Sequence, residues 1–369
     1  MPSLSHAFEG GRYGPVKIVA PSSQPRGLVI LFSDRTGLSE ADDAAARTIA
    51  DAGALVAEVN TPAYLHGLDK LNEQCHTPEV DAEWLSRQIQ RERGFPNYFT
   101  PILAGTGEGA TLAIMTLAYA PAATIGGVVA LNPSATIAGK RPLCSAERIK
   151  HHAHGFRYEI PKTLPGFCSI EFTPDQPKHD RDYVMDLKRE GAPFQIGEVG
   201  LHQSTGERLR ALIEPHLVKP KAHPTDISGL PLTILGVEHP SSVMAIVISG
   251  DGGWRDLDKT IAENLQQKDV PVVGWDSLRY FWRKKTPQQT ADDLAAVMRT
   301  FIDKWHANDV ALIGYSFGAD VIPFAYNRLP DDLRAHVKLI ALLGFSKSAD
   351  FEITVSGWLG EPPGPAALP

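Results

Sequence analysis

Short, unbroken apolar runs alternate with longer amphipathic stretches along this chain. GLVILF (27–32) reads as a strand buried on both faces, because a strand covered on one side only would alternate apolar with polar, and ALVAEV (54–59) is the next strand candidate. Residues 39–52 have helical composition, and DAEWLSRQIQRER (81–93) is an amphipathic helix. A third strand (100–104) breaks at Gly105 and leads into ATLAIMTLAYA (110–120), a helix; a fourth strand (127–131) follows. The order then returns. Strands are expected at 244–249, 270–275, 310–313 and 337–343, with helices at 258–268, 286–305 and 319–329. Pro287 opens its helix where proline is tolerated, whereas Pro323 is expected to distort or shorten the one it enters. Residues 230–236 are placed as a first, antiparallel strand of the second block. Strands alternating with helices imply parallel sheets, and two blocks in matching order imply two similar domains. Residues 174–240, richer in proline, charge and histidine, read as the connection, giving domains of 1–224 and 225–369.

Chemistry enters at the strand ends. Gly314-Tyr315-Ser316-Phe317-Gly318 fits G-x-S-x-G between a predicted strand and a predicted helix, the setting of a nucleophile elbow in α/β-hydrolases. A sharp turn there projects Ser316 from the sheet edge, with the backbone N–H of Phe317 as one oxyanion donor. The plainer alternative is a tight turn whose serine caps the helix. Ser249-Gly250-Asp251-Gly252-Gly253-Trp254 also follows a strand; Gly252 is the candidate for the second oxyanion N–H, with a glycine-rich turn as the alternative. Asp251, Trp254, Asp276, Arg279 and Asp320 are candidate substrate-binding residues: the carboxylates match a cationic group, and the aromatic-rich WDSLRYFW (275–282) suits a pocket wall or core packing equally. Asp251 and Asp320 also suit helix capping or the helix dipole. His151, His152 and His154 cluster without an evident carboxylate or cysteine partner, so a solvated loop is expected and no metal centre or cofactor.

The first block carries Gly105-Thr106-Gly107-Glu108-Gly109 where the second has GYSFG, so Gly107 replaces the nucleophile; FSDRTG (32–37) sits where SGDGGW does, its aspartate kept. The first domain is therefore read as non-catalytic, serving binding, gating or scaffolding. A serine nucleophile needs a base and an orienting acid, which follow it in the chain in this fold. After Ser316 the sole histidine is His336, too early for that role, and the chain ends in GEPPGPAALP. The second domain is expected to be C-terminally incomplete, unless a histidine of the first domain or of another chain completes the site.

Composition narrows the partners. A net charge of -7 over 369 residues opposes nucleic-acid binding, for which Arg279 to Lys285 is the nearest approach to a basic patch. No apolar run reaches membrane-span length, and Met1 to Gly14 does not read as a signal peptide. Cys75, Cys144 and Cys168 fit a reduced compartment or one disulfide with a spare thiol; Cys144 and Cys168 are near enough in sequence to pair, and separate buried thiols are the alternative.

SGDGGW, VPVVGWDSLRYFW and LIGYSFGADVIPFAYNRLP, with the trailing FEITVSGWLG, resemble the bacterial VirJ/AcvB family over residues 226–360, and the hydrolase-like first half resembles its longer AcvB type. The resemblance implies tandem α/β-hydrolase-like domains with mainly parallel sheets, made with a signal peptide for the periplasm. It implies hydrolysis of lysyl- or alanyl-phosphatidylglycerol at the membrane surface, with Ser316 as nucleophile and Asp251, Asp276 or Asp320 recognising the amine. Family members continue past this chain's end into a segment with the expected histidine. Two other functions fit the residues: a non-catalytic periplasmic binding or assembly factor, and an esterase or thioesterase for a small substrate.

Overall fold

The structure, a computed structural model, describes residues 7–144, 146, 149–152, 155–198, 203–218 and 227–354. The chain forms two compact units, Met1–Phe95 with Phe99–Pro220, and Pro96–Tyr98 with Lys221–Pro369. The boundary expected at 224/225 and His154 lie outside the described residues.

The first unit runs β1 (Phe8–Glu9), β2 (Pro15–Val19), β3 (Gly27–Phe32), α1 (Glu40–Asp51), β4 (Ala54–Val59), α2 (Thr61–Leu68), α3 (Pro78–Glu92), β5 (Ile102–Thr106), α4 (Gly107–Tyr119) and β6 (Gly127–Leu131). There follow β7 (Ile137–Ala138), β8 (Ile149–His152), β9 (Gly155–Tyr158), β10 (Phe167–Phe172), α5 (Lys178–Arg189), β11 (Gln195–Glu198) and α6 (Thr205–Ile213). The main sheet has the order β1-β2-β4-β3-β5-β6-β10-β11. It is parallel from β4 onward, with β1 and β2 antiparallel. Along β3, Leu28, Ile30 and Phe32 enter one core and Val29 and Leu31 another, which is why its sequence is apolar without alternation. Each such side chain contributes about 1.5–3 kcal/mol by burial. Ser39 opens α1 with a capping box to Asp42.

The second unit runs β12 (Leu232–Leu235), β13 (Val243–Ile248), α7 (Asp256–Gln266), β14 (Val272–Trp275), α8 (Ser277–Tyr280), α9 (Pro287–Trp305), β15 (Asp309–Tyr315), α10 (Phe317–Tyr326), α11 (Asp331–His336) and β16 (Val337–Leu343). Its sheet order, β12-β14-β13-β15-β16, repeats β2-β4-β3-β5-β6 of the first, with β12 antiparallel as β2 is. The tandem α/β architecture expected from the sequence is thus present.

Several expectations change. The connection expected at 174–240 instead holds α5, β11 and α6, which belong to the first unit, where Gly206 lies so close to Ala45 of α1 that a Cβ would meet its Cα at 2.9 Å. The helix holding Pro323, expected at 319–329, is α10 at Phe317–Tyr326: it starts earlier, contains the proline and ends sooner. His151 and His152 are exposed on β8, paired with β9, rather than in a loop, and no metal-binding cluster exists among the described residues. Cys144 pairs with Cys75, not Cys168, at a Cα separation of 4.8 Å. Cys168 is buried on β10, and that burial pushes its thiol up to about 12.

Candidate active site

β15 ends at Tyr315 and α10 starts at Phe317, leaving Ser316 alone to make the turn at φ 49°, ψ -119°. A non-glycine residue adopts such a backbone only when its surroundings impose it. They do so here: the Ser316 N–H donates to the Leu343 carbonyl of β16 at 2.7 Å, and its own carbonyl accepts from Ala319 and Asp320. The flanking glycines are steric requirements. A Cβ on Gly314 would stand 2.6 Å from Ala319, and one on Gly318 would overlap the Ile248 carbonyl. Phe317 is the first residue of α10, so its N–H belongs to the helix-start donors that lack an intrahelical partner. An anion forming at Ser316 would meet that donor and the helix dipole.

The loop after β13 lies beside this turn, but with a different residue than expected. Gly250, not Gly252, faces the nucleophile: a Cβ on Gly250 would lie 3.6 Å from the Ser316 Cβ, whereas one on Gly252 would lie 2.8 Å from the Arg255 guanidinium. Gly253, at φ 88°, closes the turn by donating to the Gly250 carbonyl. Asp258 of α7 holds the loop from beneath by accepting the N–H groups of Gly250 and Arg255.

Trp254 and Asp276, among the other candidates, are held inside the fold. Trp254 is buried against Gly274 of β14, where no Cβ would fit. Asp276 is buried as the N-cap of α8, accepting from Arg279 N–H at 3.0 Å; burial raises its pKa and Arg279 opposes the rise. Arg279 is half-buried beside it, its Nε without a hydrogen-bond partner. Tyr280, Phe281 and Trp282 are core residues. Asp251 is half-buried in the loop. Asp320 accepts the Ser346 N–H at 2.6 Å, so it fixes the turn after β16; partial burial raises its pKa.

No described histidine of the second unit reaches Ser316. His239 precedes β13, His306 precedes β15 and His336 precedes β16, all at the edge opposite the elbow. β15 separates the two edges by about 20 Å. His336 instead bonds the Asn308 carbonyl at 2.7 Å.

The first unit repeats the scaffold without the nucleophile. Ser33 Oγ accepts from Thr61 N–H as Ser249 Oγ accepts from Ser277 N–H, and Gly37 donates to Asp34 as Gly253 does to Gly250. This register matches Asp34 to Gly250 and Arg35 to Asp251, correcting the sequence pairing of the two aspartates. Gly107, at φ 54°, stands for Ser316. The Asp34 carboxylate fills the space that a side chain at Gly107 would need, and accepts the Glu108 N–H at 2.8 Å. That N–H matches Phe317, so the first unit fills its own anion site. Gly107→Ser is therefore expected to destabilise the first unit by about 2 kcal/mol through overpacking and strain. Adding Asp34→Gly should recover the overpacking part of the loss in a denaturation double-mutant cycle; additive losses would refute the overlap.

Residues 242–366 match the family described as Bacterial virulence protein (VirJ). This match covers 125 of the chain's 369 residues. Its described part holds the elbow, β13 to β16 and the loop around Gly250. A comparison with curated proteins finds no match. Among solved structures, the chain is similar to Thermogutta terrifontis esterase 2 phosphorylated by paraoxon, at 16% identity and a TM-score of 0.40, over 60% of this chain and 97% of that one. It is also similar to the esterase domain of a Rhodothermus marinus protein, at 10% identity and a TM-score of 0.36, over 58% and 95%.

Within the matched segment, Gly250 and Asp258 were missed by sequence reasoning. The signal for both is the equal spacing from Ser33 to Asp42 and from Ser249 to Asp258. Burial, with Asp256 and Asp276 adding to it, pushes Asp258 up to about 7. Between 3.8 and about 7 the unfolded chain releases this proton while the folded chain keeps it, so stability falls as pH rises through that window. Asp258→Asn is expected to flatten that decline in melting temperatures taken from pH 4 to 8; an unchanged slope would exclude Asp258 as its source.

Proposed function

We propose that the second unit is a serine esterase that hydrolyses aminoacylated phosphatidylglycerol and releases lysine or alanine on the periplasmic side of a bacterial membrane. The observation that carries this reading is the strained Ser316 turn with Gly250 beside it and the Phe317 N–H at the helix start. Ser316 Oγ would attack the aminoacyl carbonyl while a base takes its proton, and the Phe317 N–H would stabilise the oxyanion. The lipid alkoxide would leave with a proton, and water would then release the amino acid from the serine ester.

The surroundings support a lipid substrate. Tyr315, Leu343 and Phe345, which flank the turn, are 37%, 40% and 54% exposed, an apolar rim suited to acyl chains or the bilayer surface. Asp251 and Asp320 supply negative charge for the aminoacyl ammonium. The Cys75–Cys144 disulfide supports an oxidising compartment. The VirJ-family match agrees with the reading.

A second reading, a periplasmic binding or assembly factor that uses the fold without turnover, is favoured by one observation: no described histidine of the unit lies at the Ser316 edge. The deciding experiment incubates the full chain with vesicles of lysyl- or alanyl-phosphatidylglycerol and measures free amino acid, with Ser316→Ala as control. Serine-dependent release supports the esterase. Vesicle binding without release by a folded chain supports the second reading.

A further inference from the structure

Arg255 departs from its counterpart in the first unit. It stands at the N-cap of α7, where its side chain makes no capping hydrogen bond. A cation at a helix start also opposes the helix dipole. The spacing that matches Ser33 to Ser249 matches Ser39 to Arg255, and Ser39 caps α1 with a full capping box to Asp42. Asp258 stands three residues past Arg255, as Asp42 stands three past Ser39, so a serine at 255 would find the same partner. The second unit has a cation where its helix would be better held by a cap, and departures of this kind gather at functional positions.

The guanidinium lies over the loop that faces the nucleophile. A Cβ on Gly252 would meet Arg255 Nη2, Nε and Cζ at 2.8, 3.0 and 3.3 Å. Gly252 lies outside the left-handed backbone region, so its φ does not call for glycine; the missing side chain leaves room for the guanidinium, and the first unit has Thr36 there. Gly253 N–H donates to the Gly250 carbonyl at 3.1 Å, which keeps the ends of this turn within about 7 Å, and Gly250 faces Ser316. Arg255 is half-buried. The buried carboxylates nearby are occupied: Asp258 accepts the N–H groups of Gly250 and Arg255, and Asp276 those of Arg279 and Trp254. Asp251, half-buried on the same loop, is the counter-charge proposed for the ammonium. One loop thus presents an anion and a cation beside one nucleophile. An aminoacyl ester of phosphatidylglycerol carries the matching pair, an ammonium on one side of the ester and a phosphodiester one glycerol away on the other. A guanidinium meets two phosphate oxygens through parallel N–H bonds, a geometry that lysine lacks.

We infer that Arg255 is a specificity-determining residue of the Ser316 site, recognising the phosphodiester of its substrate. The inference rests on the esterase reading for the place of the ester, while its test reads binding rather than turnover.

Glycerophosphoglycerol, the headgroup without acyl chains or amino acid, is titrated calorimetrically into the full chain, with glycerol as the neutral comparison. Binding at about 1 mM or tighter is expected, and Arg255→Gln should weaken it about tenfold or more, as loss of a charge-assisted hydrogen bond does. Arg35→Gln, in the first unit, should leave it unchanged. Arg255→Ser gives a readout that a structural arginine would not: by restoring the cap it should raise the melting temperature by about 2–4 °C while losing the same affinity. A melting temperature that does not rise in Arg255→Ser would overturn the assignment. So would headgroup binding that survives both Arg255 variants, binding that Arg35→Gln removes instead, or no headgroup binding at all. The esterase reading fails separately. Headgroup binding that depends on Arg255, without Ser316-dependent amino-acid release, would sink the esterase and keep Arg255 as the anion-binding residue. Release at full rate in Arg255→Gln would keep the esterase and sink the role of Arg255.

Discussion

Ser316→Gly is expected to abolish the amino-acid release proposed for the second unit and, at the same time, to raise that unit's stability. The two effects sit at one residue but have separate causes, loss of the Oγ nucleophile and release of the backbone strain. At φ 49°, ψ -119° the serine Cβ is held in a backbone region that side chains rarely adopt. Such a residue costs about 1–3 kcal/mol, while glycine loses about 0.5–1 kcal/mol through its freer unfolded chain. The strain term wins, so a net gain of about 1 kcal/mol, or a rise of about 2–4 °C in melting temperature, is expected. Removing a serine nucleophile costs about 10⁴-fold or more in turnover, several times larger in free energy. Ser316→Ala separates the two effects: it should lose the same activity and keep the strain, with no rise in melting temperature. If the glycine variant still released lysine, Ser316 would not be the nucleophile. If the two variants melted alike, the turn would not be strained.

The elbow was legible in the sequence because its chemistry and its sterics share one pentapeptide: Gly314 and Gly318 are needed for backbone approach, and the strand before them is uniformly apolar. The repeat was legible for a related reason, since strands buried on both faces are written as continuous apolar runs. What escaped reading depends on contacts distant in sequence. α5 (KHDRDYVMDLKR) buries only Asp180, Tyr183, Val184 and Leu187, too few apolar positions to stand out from a charged connection, and β11 has 4 residues. Trp254 and Asp276 looked like ligand contacts because aromatic and charged residues at a strand end suit a pocket. The structure turns both inward, one onto Gly274 and the other onto the start of α8. The loop after β13 was read by composition, which drew attention to the double glycine; the hydrogen-bond register instead brings Gly250 to Ser316. The same register pairs Asp34 with a glycine, and only this pairing reveals that the first unit has exchanged a nucleophile for a carboxylate.

Reducing the Cys75–Cys144 disulfide is expected to be the most damaging single change to the first unit's stability. The bridge ties the segment after α2 to the segment after β7, where His76 N–H donates to Pro142 and Cys144 N–H donates to His76. It spans 69 residues, a long loop to leave open in the unfolded chain. Closing a loop of that length stabilises by about 4 kcal/mol in the chain-entropy account. For a unit of this size the corresponding fall in melting temperature is about 8–16 °C. Calorimetric scans with and without reductant, beside a Cys75→Ala, Cys144→Ala double substitution, measure it. Cys168 does not compete as an exchange partner, because it is buried and its thiol is pushed up to about 12, far from the thiolate that exchange requires. The size of the shift bears on the compartment. A unit that loses this much stability on reduction would be poorly suited to a reducing cytosol, where glutathione and thioredoxin keep thiols reduced, and well suited to the periplasm. A reduced chain that melts at the same temperature would remove that support for the proposed oxidising compartment.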